Sequence, residues 1–194
     1  AAAQGGLGDM QVELASFCGG ESLVKAVRHF RNALSIYVDF KDVAAQAHYQ
    51  ERLGRTYAMW REDEHLRKAL RAYERASADY ILCGQSQRAA QVGIELARLG
   101  IALQEWETAF KAASQALQLF SELGVDGGRA QCFHLLAGVY LSAGAESQRE
   151  DVERAEHCLL EAQRLFLHLQ WSEEYGKIAS ELQQVQNLIR GVAN

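Results

Sequence analysis

The chain has 194 residues and a formal net charge of −5, with 48% hydrophobic and 23% charged residues. This length and composition are typical of a globular protein with a substantial core, and they exclude a disordered chain. Proline is absent, and the helix-forming residues Ala, Leu, Gln, Glu and Arg dominate over runs of Val, Ile and Thr. The composition therefore predicts an all-α fold.

The charges are unevenly distributed along the chain. Residues 1–97 carry 12 Lys/Arg and 12 Asp/Glu, whereas residues 98–194 carry 8 and 13. Nucleic-acid binding needs a concentrated basic face, so we expect no nucleic-acid partner. No apolar run approaches the roughly 20 residues of a membrane span, so we expect no membrane insertion. The opening residues AAAQGGLG lack the features of a signal peptide, and residues 1–8 are interpreted as a flexible lead-in or an expression-vector remnant of a cytoplasmic protein.

Four cysteines lie far apart in the sequence, at Cys18, Cys83, Cys132 and Cys158. They form no CxxC pair, so neither a zinc site nor a redox motif is indicated. Each lies in an apolar, helix-forming context. We therefore predict reduced, buried thiols.

A signature recurs along the chain, in which an aliphatic residue precedes a small residue and a packing residue follows three positions later. The small residues are 39, 43, 40 and 42 positions apart, which indicates an internal repeat. The five copies are Leu14-Ala15 with Cys18, Leu53-Gly54 with Tyr57, Leu96-Ala97 with Gly100, Leu136-Ala137 with Tyr140, and Ile178-Ala179 with Leu182.

A second signature follows each of the first four copies. It places a packing residue four positions after an alanine and another alanine three positions further on, which puts all three on one helix face. The four copies are Ala26-Phe30-Ala33, Ala69-Tyr73-Ala76, Ala109-Ala113-Ala116 and Ala155-Leu159-Ala162.

This alternation resembles the tetratricopeptide repeat (TPR) family over nearly the whole chain. The period of about 41 is longer than the family's common 34, and the family's proline at the repeat end is absent. The longer period is similar to the branch of kinesin light chains and Pins-type adaptors. The resemblance implies a right-handed α-solenoid of about four helical hairpins with a C-terminal capping helix.

The turn residues place the hairpins at about 9–40, 43–82, 86–123 and 128–170, followed by a capping helix at 172–190, all within one domain spanning 9–194. The second and fourth hairpins carry insertions at WREDEHL and SAGAESQREDVE, which we expect to form loops. The capping helix has no partner helix after it in the sequence. It is predicted to shield the end of the solenoid.

Motifs of catalysis and metal binding are missing from the sequence. It contains no GxxxxGK, GxSxG or HExxH pattern, and the nearest helical metal-ligand pair is Glu153 with His157. Two such residues fall short of the three or four ligands of a metal site. We therefore expect no enzyme activity, no cofactor and no metal.

The TPR resemblance implies a binding groove lined by the first helix of each hairpin, at positions one after, three before and six before the small residue. Carried over to this sequence, those positions define a predicted lining of His48, Glu51, Arg55, Gln91, Ile94, Arg98, Gln131 and His134.

Arg55 and Arg98 occupy equivalent places on neighbouring hairpins. Each guanidinium can bind a carboxylate through two hydrogen bonds, so the pair suits an acidic, extended peptide. The alternative is that both arginines are solvated or pair with Glu51 and Glu95. Reversing both charges is expected to weaken an acidic partner strongly without changing thermal stability.

These observations favour a non-enzymatic scaffold or adaptor that binds a peptide segment of a partner protein. The alternative is a sensory domain of a larger regulator, with a small signalling ligand or peptide in the same groove. Stabilisation by a small molecule in a thermal-shift screen would favour the sensor.

Overall fold

The computed structural model describes residues 2–18, 20–142 and 149–192, and the side chains of these residues except for 11, 13–18, 20, 191 and 192. The described residues form nine α-helices and no β-strand, which confirms the predicted all-α fold. The helices are α1 (Ala2–Cys18), α2 (Gly20–Asp39), α3 (Val43–Ala58), α4 (Asp63–Leu82), α5 (Ser86–Ala102), α6 (Trp106–Glu122), α7 (Asp126–Ser142), α8 (Arg149–His168) and α9 (Ser172–Val192).

The amino-terminal segment differs from the sequence prediction. Residues 2–8, expected to be a flexible lead-in, are the first turns of α1. Two glycines on this helix are buried, Gly5 against the ring of Tyr49 and Gly8 against the ring of Phe30. The helix forms because glycines leave room for aromatic rings against its backbone, which offsets their low helix propensity. The side chains of Leu14, Ala15 and Cys18, the first copy of the repeat signature, lie outside the described residues.

The chain comprises two compact units, Ala1–Val92 and Gly93–Asn194, with the boundary inside α5. In the first unit α2 packs against α1 and α3, and α3 packs against α4. In the second unit α7 packs against α6 and α8, and α8 packs against α9. Repeats that contact only their neighbours build a core in layers, with no single centre. One continuous domain over 9–194 stays a prediction.

The α3–α4 hairpin shows how the repeat signature works. On α4, the apolar positions Ala69, Tyr73 and Ala76 recur at the helical period and are at most 3% exposed. Gly54 of α3 faces Tyr73, and a Cβ added at Gly54 would lie 2.7 Å from that ring. The small residue therefore admits the aromatic ring of the facing helix, as the sequence predicts.

In the second unit, Gly100 of α5 plays the same part against Ala109 of α6. A Cβ at Gly100 would lie 2.9 Å from both the backbone nitrogen and the Cβ of Ala109. Ala113, one turn along α6, is fully buried. In this hairpin two backbones approach closely, because both sides of the crossing carry small residues.

A residue with positive φ follows the second helix of each hairpin, two positions after its last helical residue. These residues are Lys41, Gly84, Gly124 and Gln170. In the second hairpin the Gly84 nitrogen donates to the Ile81 carbonyl at 3.0 Å, and the Gln85 nitrogen donates to the Tyr80 carbonyl at 2.8 Å. This left-handed capping residue ends the helix and satisfies its last carbonyls. The turn replaces the proline of the TPR pattern.

The two predicted insertions have different outcomes. WREDEHL forms the turn after α3 and the start of α4, where the Trp60 ring stacks on His65 with a centroid separation of 4.7 Å. The other insertion spans residues 142–153, of which Ser142 ends α7, 143–148 lie outside the described residues and 149–153 begin α8.

The last helix, α9, buries one face on the end of the second unit. Ile178, Leu182 and Val185 recur at the helical period and are 1%, 7% and 2% exposed. Gln186 of α9 donates a hydrogen bond to Glu156 of α8 at 3.0 Å. None of the helices in the described part of the chain is long and apolar enough to cross a bilayer.

Candidate functional site

Three predicted site residues share one face of α3. His48, Glu51 and Arg55 are spaced by three and four residues, so they follow one another along the helix. The Glu51 carboxylate is mostly buried, with 13% of the side chain exposed, whereas the Arg55 side chain is 63% exposed. Their ion pair joins Arg55 Nη2 to Glu51 Oε1 at 2.6 Å. Arg55 therefore pairs with Glu51, which was the alternative to a free arginine in the sequence analysis, and its guanidinium remains open to solvent.

Glu51 is held from a second direction by Tyr80, a fully buried residue near the end of α4. The Tyr80 hydroxyl donates a hydrogen bond to Glu51 Oε2 at 2.7 Å. Both carboxylate oxygens are thus occupied, one by α3 and one by α4. Such a charge-assisted contact fixes the position of the carboxylate.

Arg88, in the first turn of α5, completes this network. Its Nη1 donates a hydrogen bond to the Tyr80 hydroxyl oxygen at 3.3 Å, and its guanidinium carbon lies 5.7 Å from the Tyr80 ring centroid. The side chain of Arg88 is itself exposed. One buried tyrosine therefore connects an exposed arginine on α5 to the Glu51–Arg55 pair on α3.

The electrostatics of this network follow from burial and from the two arginines. Burial of the phenol, together with its hydrogen bond to Glu51, raises the pKa of Tyr80 to about 12. Burial of the imidazole lowers the pKa of His48; the nearby Arg88 and Arg55 charges act in the same direction, while Glu51 opposes them. At neutral pH this network of side chains therefore contains two guanidinium charges, one carboxylate and a neutral imidazole.

The other arginine of α3, Arg52, is engaged elsewhere in the first unit. Arg52 forms an ion pair with Asp9 of α1, and its guanidinium lies 5.6 Å from the Phe30 ring centroid. Burial and the neighbouring Arg55 charge lower the pKa of Arg52. This arginine ties α1 to α3, whereas Arg55 and Arg88 point their charges to solvent.

Gln91 lies three residues after Arg88 on α5, and it is exposed. The spacing places it one turn from Arg88 on the same helix face. We use the name Arg55–Arg88 face for the surface formed by His48, Glu51, Arg55, Arg88 and Gln91, all in the first unit.

The predicted residues of the second unit are placed differently. Ile94 is only 5% exposed and belongs to the core, so its side chain offers no surface to a partner. Arg98 is exposed, and no carboxylate among the described residues lies within ion-pair distance of it. The predicted role of Arg98 in binding stays a prediction.

His134 of α7 is engaged with the last helix. Its Nε2 lies 2.9 Å from Glu181 Oε2 of α9, and both side chains are partly exposed. Gln131, one turn earlier on α7, is half-buried. His134, which the sequence predicts to contact a partner, therefore contacts α9.

Sequence reasoning missed Arg88 and Tyr80. The groove pattern reaches back only six residues from the small residue, and Arg88 lies nine residues before Ala97. Tyr80 follows Tyr73 and Ala76 at the helical period, which marks it as a packing residue but gives no sign of its hydrogen bonds. Its hydroxyl was the available signal, because a buried Tyr O–H usually has a polar partner.

No group of three or more His, Cys, Asp or Glu residues that could hold a metal ion occurs in the described part of the chain. In the Glu153–His157 pair, Glu153 accepts a hydrogen bond from Arg149 at 2.8 Å. This contact is an ordinary exposed pair one helical turn apart.

Comparison with known proteins identifies the fold. No protein-family model and no curated protein matches the sequence. Two crystal structures of the nearly identical TPR-like repeats of a kinesin light chain-like protein from Podosopora anserina resemble this chain, with TM-scores of 0.60 and 0.58 and 15% identity. The first similarity covers 95% of both chains and the second 93% of both.

A crystal structure of BtubC from P. vanneervenii matches less well, with a TM-score of 0.49 and 16% identity over 98% of this chain and 91% of that one. The two stronger similarities show a TPR-like fold. The chain is thus an all-α solenoid of TPR-like repeats, in agreement with the expected family resemblance.

Proposed function

We propose that this protein is a non-enzymatic adaptor whose Arg55–Arg88 face binds an acidic, extended segment of a partner protein. This face contains the residues of the first unit that the TPR resemblance predicts to line a groove, together with Arg88. We place the adaptor in the cytoplasm as part of the same proposal, because Cys83, Cys132 and Cys158 are free thiols.

The observation that carries the proposal is the Tyr80-centred network. Arg55 is held by Glu51 and Arg88 by Tyr80, yet both guanidinium groups remain accessible. Each guanidinium has five N–H donors, and these contacts leave donors free for a carboxylate. Two arginines fixed before a partner arrives lose less side-chain entropy on binding, which favours affinity.

The sign of the charge on this face favours an acidic partner. Two arginines and one glutamate leave a net positive charge on the face, and an added carboxylate brings it to neutrality. Gln91, one turn beyond Arg88, supplies both a donor and acceptor for a peptide backbone. An extended acidic peptide fits this combination, since its carboxylates and backbone groups recur along its length.

The proposal is tested by titrating the protein with a short peptide of alternating glutamate and glycine. We expect the double variant Arg55→Glu/Arg88→Glu to weaken binding by at least about tenfold, because both charge-assisted contacts are lost. The control is Arg28→Glu/Arg71→Glu, which makes the same charge change at exposed positions of α2 and α4. Equal loss in both variants would show a non-specific charge effect and contradict the proposal.

Glu51→Gln gives a second readout of opposite sign. The amide keeps an oxygen for the Tyr80 hydroxyl but removes the negative charge beside the arginines. We expect it to tighten binding of the glutamate peptide severalfold, since about 1 kcal/mol of repulsion is removed. Weaker binding would contradict the repulsion argument, because it would mean that the Glu51 contact that holds Arg55 matters more than the repulsion it causes.

A further inference from the structure

His48 is the one group of the Arg55–Arg88 face with an ordinary pKa close to neutrality. It is half-buried on α3, one turn before Glu51. Its ring meets the Tyr49 ring edge-on, with a centroid separation of 5.2 Å and an interplanar angle of 75°. The imidazole therefore packs on the neighbouring Tyr49 ring, one helical turn before Glu51 on α3.

The surroundings of His48 contain both signs of charge. Arg55 and Arg88 oppose protonation of the ring, and Glu51, whose charge is shared with Arg55, favours it. The neighbouring helices contribute two phenols and one carboxylate, and the carboxylate is already in an ion pair. These groups are the buried phenol of Tyr80 on α4, Tyr37 of α2, which stacks on Tyr49 at 5.5 Å, and Asp9 of α1, which pairs with Arg52.

We propose that binding of an acidic segment to the Arg55–Arg88 face is coupled to uptake of a solvent proton by His48, which becomes a third cationic contact. This inference rests on the proposed function and concerns the regulation of that same site. Burial is the main cause that disfavours the protonated imidazole, and the two arginine charges add to it; a carboxylate bound between the arginines offsets this second contribution. The protonated ring then offers N–H donors to the segment.

The direction of the pH effect follows from linkage. In the free protein the pKa of His48 lies below its usual value, since burial and the two arginines disfavour the charged form. A bound anion raises it, so the complex holds more protons than the free protein. Affinity must then rise as the pH falls through the pKa of the complex, and each unit of increase in pKa corresponds to a tenfold gain. The mechanism makes the face a stronger acidic-segment binder under mildly acid conditions.

The test measures affinity for the glutamate–glycine peptide between about pH 8 and about pH 5.5, a window in which the peptide carboxylates stay ionised. We expect binding to tighten by about tenfold across this range for the unaltered protein. His48→Gln should bind with an affinity that no longer changes with pH across this range, because the variant has no titrating imidazole on the face. His157→Gln, at an exposed position of α8, should behave like the unaltered protein.

NMR titration of the ring C–H signals gives an independent readout, with His48 assigned from the His48→Gln spectrum. We expect the His48 pKa to rise when the peptide saturates the protein. Peptide binding that is pH-independent, or that leaves this pKa unchanged, would overturn the coupling while leaving the adaptor proposal intact. Absence of peptide binding at every pH would instead contradict the adaptor proposal itself.

Discussion

Single residues in this protein owe their chemistry to neighbours on other helices. Glu51 shows this most clearly, because Arg55 holds one of its oxygens from the same helix and Tyr80 holds the other from α4. The first contact is predictable from the four-residue spacing. The second joins residues 29 positions apart, so it depends on how α3 and α4 pack. The role proposed for Arg55 depends on both contacts.

The buried cysteines provide a residue-scale prediction. Burial raises the pKa of Cys132 to about 12 and that of Cys158 to about 11, so both stay protonated at about pH 8. Because the thiolate is the nucleophile, we expect iodoacetamide to alkylate the half-buried Cys83 well before either of them. Peptide mapping by mass spectrometry measures the three rates.

Labelling in guanidinium chloride is the control for this experiment, since unfolding should bring the three rates together. If Cys132 were labelled as fast as Cys83 in the native protein, this would contradict the burial of the Cys132 side chain on α7. The sequence-level prediction of reduced, buried thiols agrees with the structure for Cys132 and Cys158. Cys83 is only half-buried, with its Sγ donating to the Asp79 carbonyl at 2.8 Å.

At the scale of helices, small residues decide how closely two helices approach. Gly54 accommodates the Tyr73 ring, whereas Gly100 accommodates the backbone of the facing helix at Ala109. A ring can rotate or shift to relieve a new contact, but a helix backbone cannot move without disturbing its neighbours. The repeat signature marks both positions alike, and only the packing distinguishes them.

A pair of glycine substitutions in the second unit tests this distinction. Gly100→Ala places a methyl against the α6 backbone and should destabilise the fold by about 1–2 kcal/mol, after the gain in helix propensity is subtracted. Gly138→Ala meets no atom within 4 Å and should stabilise it by up to about 1 kcal/mol. Urea unfolding followed by circular dichroism measures both. Equal effects would show that the α5–α6 crossing is looser than described.

At the scale of the whole molecule, a repeat array needs an end that water can tolerate. Helix α9 buries Ile178, Leu182 and Val185 and leaves polar residues such as Glu173 and Lys177 exposed. It also ties itself to α7 through Glu181 and to α8 through Gln186. These contacts hold α9 against α7 and α8 of the second unit, and its role as a cap stays a prediction.

Deletion of residues 172–194 is expected to destabilise the protein by several kcal/mol, since burying each large aliphatic side chain contributes about 1.5–3 kcal/mol. Thermal unfolding should shift to lower temperature, and size-exclusion chromatography should show association through the uncovered face. Glu181→Gln is the control, because it removes only a partly exposed pair and should cost less than about 1 kcal/mol. A truncated chain as stable as the full one would rule out capping.

The sequence predicted much of the fold and less of the site. Small and aromatic residues at regular spacing predicted helical hairpins, because the 3.6-residue period alone places them on one face. The same reasoning placed His48, Glu51 and Arg55 together. It did not indicate that Ile94 lies in the core or that His134 contacts Glu181. A groove pattern carried over from a family specifies a position on a helix and leaves its neighbours undetermined.

By itself, the sequence determined the all-α class, the repeat of about 41 residues and the small-residue positions where helices meet, since these depend on spacing within a segment. The tertiary structure decided which side chains from distant segments share a contact. It joined Arg88 to Arg55 through Tyr80 and Glu51, and it placed Gly5 and Gly8 of α1 against aromatic rings. The physical reason is that such contacts depend on the separation and rotation of packed helices, which local periodicity does not encode.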